Sequence, residues 1–326
     1  MNAVDHNNVV IFDDRGIPSI MCRFVRPKDT EEVPAVFKIG DKVADAIYIS
    51  KYPNIVIDGR AYSMPMADPT VNITFDEAVQ ACRCKGLGWH LMTAVEYEYL
   101  LNQSREKGTM PHGNTDWGKD YYHNEEQGKV SNLGRTYTGT GPVTWNHDHT
   151  PYGVSDLNGN VWEWLAGLRI KDGVIEFIPG NKAASPYCDL SKDSTEWQQA
   201  ETSKGPVRAN VECGEITITD AVAADDYEPN YDGVRIEELE VKLSEIPQVL
   251  KDLGIIPDKR AEEEGKTYVY FDATEGEYLP VRGSAFCYTS NSGPSALNVG
   301  YPRSFSFVSI GFRSAFYEVN GKLITE

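Results

Sequence analysis

The stretch Tyr152-Gly153-Val154-Ser155-Asp156-Leu157-Asn158-Gly159-Asn160-Val161-Trp162-Glu163-Trp164 carries more information than any other in the chain. Asp156, Asn158 and Asn160 have short side chains that bond their own backbone, and Gly159 can take a positive φ without steric penalty. Val161, Trp162 and Trp164 follow at once, and their bulk asks for burial. Two tryptophans flanking Glu163 predict a short strand, with the carboxylate on the face opposite the indoles. By itself this is a hairpin-like turn running into a core strand. It is not an EF-hand: Gly159 comes too soon after Asp156, and no glutamate closes a twelve-residue loop.

The rest of the chain bounds the answer. Its 326 residues are enough for one large domain or two smaller ones, and 40% hydrophobic with 25% charged residues is ordinary for a globular protein. A formal net charge of −18 repels phosphate backbones, so no nucleic-acid partner is expected. No basic segment leading into an apolar run opens the sequence, and no stretch reaches membrane-spanning length, so neither a secretory signal nor membrane insertion is expected. Six scattered cysteines imply no disulfide framework. Cys82 and Cys84 form a single Cys-x-Cys without a second pair, and Cys82 fits better as a buried helix position.

Local signals place several elements. Val9–Phe12 and Ile20–Val25 flank a turn at Asp13-Asp14-Arg15-Gly16 and predict two paired strands, and Ala46–Tyr52 predicts a third. Thr74 and Glu77 have capping-box spacing. Phe75, Ala78, Val79 and Cys82 then line one helix face that Gly86 and Gly88 terminate. Thr93 and Glu96 repeat the box ahead of a helix extending to about Gln103. His112–Thr150 predicts mostly loop; its His147-Asp148-His149 could ligate a metal but is more simply a solvated loop. Val234, Ile236, Leu239, Leu243, Ile246, Leu250 and Leu253 recur at helical intervals, with Pro247 interrupting that helix or a second one starting at Ser244.

The signature, with these flanks, resembles the Gly-x-x-Asp-x-x-Gly-Asn-Val-Trp-Glu-Trp motif of the formylglycine-generating-enzyme (sulfatase-modifying factor) superfamily. Tyr48, Ile49, Lys51 and Tyr52 resemble its opening strand, and Phe75–Ala78 with His90–Tyr99 its helical pair. His112-Gly113-Asn114 and Gly141-Pro142-Val143 resemble its "Trp-Gly-Asn" and "Pro-Val-Gly". Arg282-Gly283-Ser284 and Ile310-Gly311-Phe312-Arg313 resemble its closing segment. The resemblance implies an α+β fold of C-type lectin-like, formylglycine-generating-enzyme type. Residues 1–40 are then an N-terminal β arm and 41–326 the domain, with an insertion subdomain at about 170–278. It also implies calcium held by the Asp156 and Glu163 side chains and the Gly159 and Val161 carbonyls; no cofactor is otherwise required.

The closing segment is where function is expected. Between Ala285 and Ser309 only Arg303 is charged, and Lys, Asp, Glu, Gln, Met and Trp are absent. Phe286, Tyr288, Tyr301, Phe305 and Phe307 alternate with Ser, Asn and Gly, a paratope-like vocabulary. Ser304-Phe305-Ser306-Phe307 alternates like a strand. In the superfamily's enzymes two copper-binding cysteines lie six and eleven residues past the arginine. Those places are Tyr288 and Gly293 here, and Cys287 stands alone, so a copper(I) thiolate pair cannot form. The segment resembles the variable region of diversity-generating-retroelement target proteins, here about 282–315. Adenine-directed diversification at Asn codons yields no Lys, Glu, Gln, Met or Trp. The resemblance implies ligand-binding variable positions at Ala285, Cys287, Tyr288, Thr289, Gly300, Tyr301, Phe305, Phe307, Val308 and Ser309. A non-enzymatic binder of a protein or glycan on a target cell is expected, carried on a phage tail or displayed at a surface. The alternatives are a formylglycine-generating-type copper oxidase and a lectin-like module of fixed specificity.

Overall fold

A computed structural model describes residues 6–223 and 227–323. The fold is α+β, built mostly of strands, with two helices of more than two turns. Both helices begin as the sequence predicts. Thr74 and Thr93 each accept a hydrogen bond from the backbone N–H three residues on, while Glu77 and Glu96 reach back to the cap. Helix α1 (Phe75–Arg83) buries Phe75, Ala78, Val79, Ala81 and Cys82, and helix α2 (Ala94–Lys107) runs on to Gly108, a left-handed cap beyond the expected end at Gln103.

Two sheets organise the molecule. In the first, His6–Phe12 pairs with Pro18–Val25, which pairs with Ala46–Ser50, which in turn pairs with Ser314–Val319. The two strands of the expected N-terminal β arm, His6–Phe12 and Pro18–Val25, are thus part of this sheet. Phe24, Ile47 and Ile49 from it are buried against Leu100 and Leu101 of α2 in the main core. In the second sheet Trp162–Trp164 lies between Glu277–Arg282 and Ile310–Phe312. The signature thus leads into a strand that the C-terminal segment brackets from both sides, and not into a hairpin.

The stretch expected to be an insertion, with the strand leading into it, widens that second sheet. Leu168–Lys171, Val174–Phe177, Arg208–Glu212 and Glu215–Thr219 continue it on one side. On the other side Tyr231–Arg235 pairs with Tyr268–Asp272, which lies parallel to Leu297–Tyr301. The long helix expected around Val234–Leu253 does not form. Residues 231–235 and 240–242 are strands, Ile236–Glu238 is a 3-10 turn, and the one α-helix of the stretch, α3, runs Gln248–Asp252 after Pro247. Proline has no N–H to continue a helix, and strand pairing overrides the 3.6-residue pattern. The apolar residues still find the core: Val234, Ile236, Leu250 and Leu253 are all buried. His112–Thr150 is loop apart from a single 3-10 turn at Val143–Trp145, as expected.

Candidate functional site

The signature turn is a rigid floor. Asp156, Gly159 and Asn160 all take positive φ, at 61°, 71° and 60°. At Gly159 a Cβ would lie 2.0 Å from the Asn114 carbonyl oxygen, so only glycine fits. The Gly159 N–H donates to the Gly283 carbonyl at 2.6 Å and the Asn160 N–H to that of Asn114 at 2.7 Å. The Asn160 side chain accepts from Thr136 N–H and donates to Thr136 O, closing the turn onto the preceding loop. Trp162 and Trp164 are 1% and 0% exposed, and the Trp164 indole N–H donates to Ile73 O.

Two buried arginines clamp the ends of the charge-poor segment. Arg282 donates to Glu98 at 2.9 Å, and Glu98 also pairs with Arg105. Arg313 meets the Glu163 carboxylate with two hydrogen bonds, of 2.7 and 2.6 Å, and donates to the carbonyls of Ser50 and Ser155. This bidentate pairing uses the planar fork that lysine lacks.

The same contact decides the calcium question. Both Glu163 oxygens already accept from the Arg313 guanidinium, whose charge would repel a divalent cation there. Asp156 accepts the Gly139 N–H, and burial pushes its carboxyl up to about 6. The expected set of Asp156, Glu163 and the Gly159 and Val161 carbonyls does not fit calcium.

Between the clamps, the backbone is fastened from below. The Trp162 N–H donates to Ser309 O, Asn72 N–H to Phe307 O, Trp117 N–H to Phe286 O, and Thr289 N–H to Thr115 O. Arg135, itself paired with Asp68, donates to Val308 O. Arg303, the single charge of the segment, bonds Glu277 and Asp76, so it anchors the loop and is not free for a ligand. Ser304–Phe307 is consequently a looped turn; the strand suggested by its alternation is absent.

The ten expected variable positions separate into two groups. Ala285 is fully buried and Ser309 is 4% exposed; neither can present a side chain to a partner as expected, because both sit beneath the segment against the Trp162 strand. Cys287, Tyr288, Thr289, Gly300, Tyr301, Phe305 and Val308 are half-buried, and Phe307 is 52% exposed. Their rings form one strip. Tyr301 stacks on Phe305 at 4.4 Å and Phe305 on Phe307 at 6.2 Å, while Tyr288 stands edge-on to Trp162 at 5.2 Å. The Tyr288 and Tyr301 hydroxyls are hydrogen-bonded, and burial raises the Tyr301 phenol above its usual range.

The insertion completes this strip with residues that sequence reasoning missed. Tyr268 and Tyr270 point outward from their strand while Val269 and Phe271 point into the core. Tyr231 stacks on Tyr270, its hydroxyl accepts from the Asn298 side chain, and its ring covers Gly300. A Cβ at Gly300 would sit 2.3 Å from the Tyr231 ring, so any larger residue there must displace that tyrosine. The Tyr-Val-Tyr-Phe alternation was a readable strand signal; its pairing with Leu297–Tyr301 was not.

Comparison with known proteins follows this geometry. Residues 51–207 match the family described as the sulfatase-modifying factor enzyme 1-like domain. A formylglycine-generating enzyme from Mus musculus is 36% identical over 105 residues, covering 30% of this chain and 27% of that protein, so the match spans about a quarter of the relative's length. Among solved structures, the Treponema denticola variable protein 1 aligns over 95% of this chain and 98% of that one, with 11% identity and a TM-score of 0.36. The Major Tropism Determinant I1 variant aligns over 97% of this chain and 62% of that one, with 12% identity and a TM-score of 0.34. The matched segment holds the signature turn, the helical pair and the loop that closes over them. Residues 51–207 are thus similar to the sulfatase-modifying-factor family, within a chain whose fold is α+β.

Proposed function

We propose that this chain is a non-enzymatic binding protein whose ring strip is a ligand-contacting face diversified by a retroelement. The observation that carries the reading is the contrast within residues 285–309: a backbone fastened at many points, with the rings of Tyr288, Tyr301 and Phe305 half-exposed and that of Phe307 exposed. Ordinary proteins bury such rings, and a contiguous exposed set usually marks a binding surface. The scaffold would tolerate exchange at Cys287, Tyr288, Thr289, Tyr301, Phe305, Phe307 and Val308, because their side chains leave the fastening bonds untouched, while exchange at Gly300 requires the Tyr231 ring to move aside.

Oxidase chemistry is disfavoured at the same place. Tyr288 and Gly293 stand where the enzymes' cysteines are expected, and burial raises the lone Cys287 thiol, away from the thiolate that binds copper(I). A surface-exposed partner on a target cell, met by a virion or surface-displayed protein, suits this face. Among the described residues no helix is long and apolar enough to cross a membrane.

Sequencing the DNA beside the gene tests the proposal. The expected result is a reverse-transcriptase gene and a near-copy of the last coding segment that differs at adenines in those eight codons. A near-copy differing instead at Phe286, Leu297, Ile310 or Phe312, or no near-copy at all, would overturn it. Oxygen uptake with copper and a cysteine-containing peptide should stay at background.

A further inference from the structure

Beside the ring strip lies a second feature, a cavity of about 280 Å³ enclosed by the His112–His123 loop, the signature turn, the insertion and the Ser292–Pro294 turn. Its polar lining is arranged as acceptors. His112 Nδ1 lies 3.0 Å from Glu126 Oε2, which also receives the Trp145 indole N–H, and His123 Nδ1 lies 3.2 Å from Asp120 Oδ1. An ionised carboxylate can only accept, so each Nδ1 carries a proton, and in the neutral form of such a ring the other nitrogen, Nε2, is the acceptor. The two imidazoles stack face to face at 3.7 Å, 7° from parallel, which holds both edges in register.

The third acceptor is buried. Asn158 is 7% exposed and lines the cavity. Its amide nitrogen donates to Pro111 O at 3.1 Å, which fixes the orientation of the group, and its Oδ1 has no hydrogen-bond partner. A buried acceptor left unmatched is costly, and a site that supplies an N–H to it is favoured. Two carboxylates add charge. Glu264 is already matched by Arg105 at 2.8 Å, but Glu263 stands exposed at the rim, with no cation among the described residues in ion-pair contact. Met110, Pro111 and Pro294 give the cavity apolar walls.

We infer that this cavity binds a small cationic N–H donor, an alkylguanidinium or alkylammonium group. Such a group would place its N–H bonds on Asn158 Oδ1 and the imidazole Nε2 atoms and its charge toward Glu263. The volume lies at the small end of ligand pockets and suits a group of side-chain size. The site is independent of the ring strip: its acceptors are Asn158, His112 and His123, which stand outside the diversified positions. Its failure would leave the proposed recognition face untouched.

Calorimetric titration with methylguanidinium tests it, with neutral methylurea as the shape-matched control. The full chain should bind methylguanidinium saturably, with a dissociation constant on the order of 1 mM, and methylurea not at all. Glu263→Gln and His123→Phe alter exposed or half-exposed side chains and should fold normally, and each should weaken binding at least about fivefold, a change of the size one charged hydrogen bond gives. Asn158→Leu should abolish binding; should it fail to fold, the two surface variants still decide. No saturable binding, equal binding of methylurea, or unchanged affinity in both surface variants would overturn the inference. Agmatine and an acetylated Gly-Arg-Gly amide share the chemistry, and the tighter of the two tells whether the site takes a free amine or a partner's arginine side chain.

Discussion

The signature turn and the ring strip lie against each other and are built by opposite rules. From Ser155 to Trp164 every residue is buried, and the polar ones are held by named hydrogen bonds to neighbouring loops. At Cys287–Thr289 and Gly300–Val308 the backbone is held just as firmly, but the side chains reach the surface at least in part and several rings pack on each other. The comparison shows how one segment can be fixed in position yet free in identity. Its hydrogen bonds run through main-chain atoms, which every residue but proline supplies in full, and its end clamps, Arg282 and Arg313, lie outside the exposed positions. An antibody-like division of labour follows, with loops carried by a rigid frame.

Breaking the frame should produce the largest effects. Arg313→Ala leaves Glu163 buried without a partner and strips donors from the carbonyls of Ser50 and Ser155, and a loss of about 3–5 kcal/mol is expected. Trp162→Ala opens a cavity beneath Tyr288 and should cost a similar amount, about 3–5 kcal/mol. Urea unfolding of both variants checks this. A midpoint that barely moves for either would mean the frame does not hold the strip.

Asp156 gives a smaller effect that depends on pH. Its folded-state pKa, about 6, is raised above the unfolded value of an aspartate by burial. The folded protein therefore holds this proton more tightly than the unfolded chain. The stability so contributed is complete below about pH 4 and is lost as pH rises through about 6. Asp156→Asn keeps the acceptor for the Gly139 N–H and tolerates the positive φ, so it should remove that slope and stabilise the protein at pH 8 by about 2–3 kcal/mol. Melting curves from pH 4 to 8 on both proteins test the sign. The same curves with calcium or a chelator should coincide, since Glu163 is committed to Arg313. A calcium-dependent rise that Asp156→Asn removes would restore the metal site.

Much of the frame was legible because its signals are local. Capping boxes at Thr74 and Thr93, the turn chemistry of Asp156–Asn160 and the paired tryptophans each specify structure within a few residues. What stayed hidden is non-local. The apolar positions of Val234–Leu253 fit a helix, but the pairing of 231–235 with 268–272 puts Val234 in a strand, Ile236 starts a 3-10 turn and only Leu250 lies in an α-helix. Ala285 and Ser309 are small residues in a charge-poor run, and nothing in sequence separates them from their exposed neighbours; the hydrogen bond from Trp162 N–H to Ser309 O does. Likewise Glu163 looked like a hard oxygen ligand, and only the fold set Arg313 against it, 150 residues away.

The smallest effect belongs to the strip, where small change is the informative result. Phe307 is half-exposed, its ring stacks on Phe305, and its carbonyl, which accepts from Asn72, survives any substitution. Phe307→Ser should therefore shift stability by no more than about 0.5 kcal/mol, the range of surface changes. Tyr301 and Phe305 also pack on the core beneath, so serine there should cost more, roughly 1–2 kcal/mol each, from the apolar area returned to water. Cutting the buried neighbours Phe286, Leu297 or Phe312 to Ala should cost about 2–5 kcal/mol. Urea unfolding of this series should thus rank Phe307 below Tyr301 and Phe305, and those below Phe286, Leu297 and Phe312. If the strip is the contact face, binding to a cell-surface partner should follow the reverse order, with the triple serine variant of Tyr301, Phe305 and Phe307 folded but silent. A Phe307→Ser variant as unstable as Phe312→Ala would place that ring in the core and remove the contrast between frame and face.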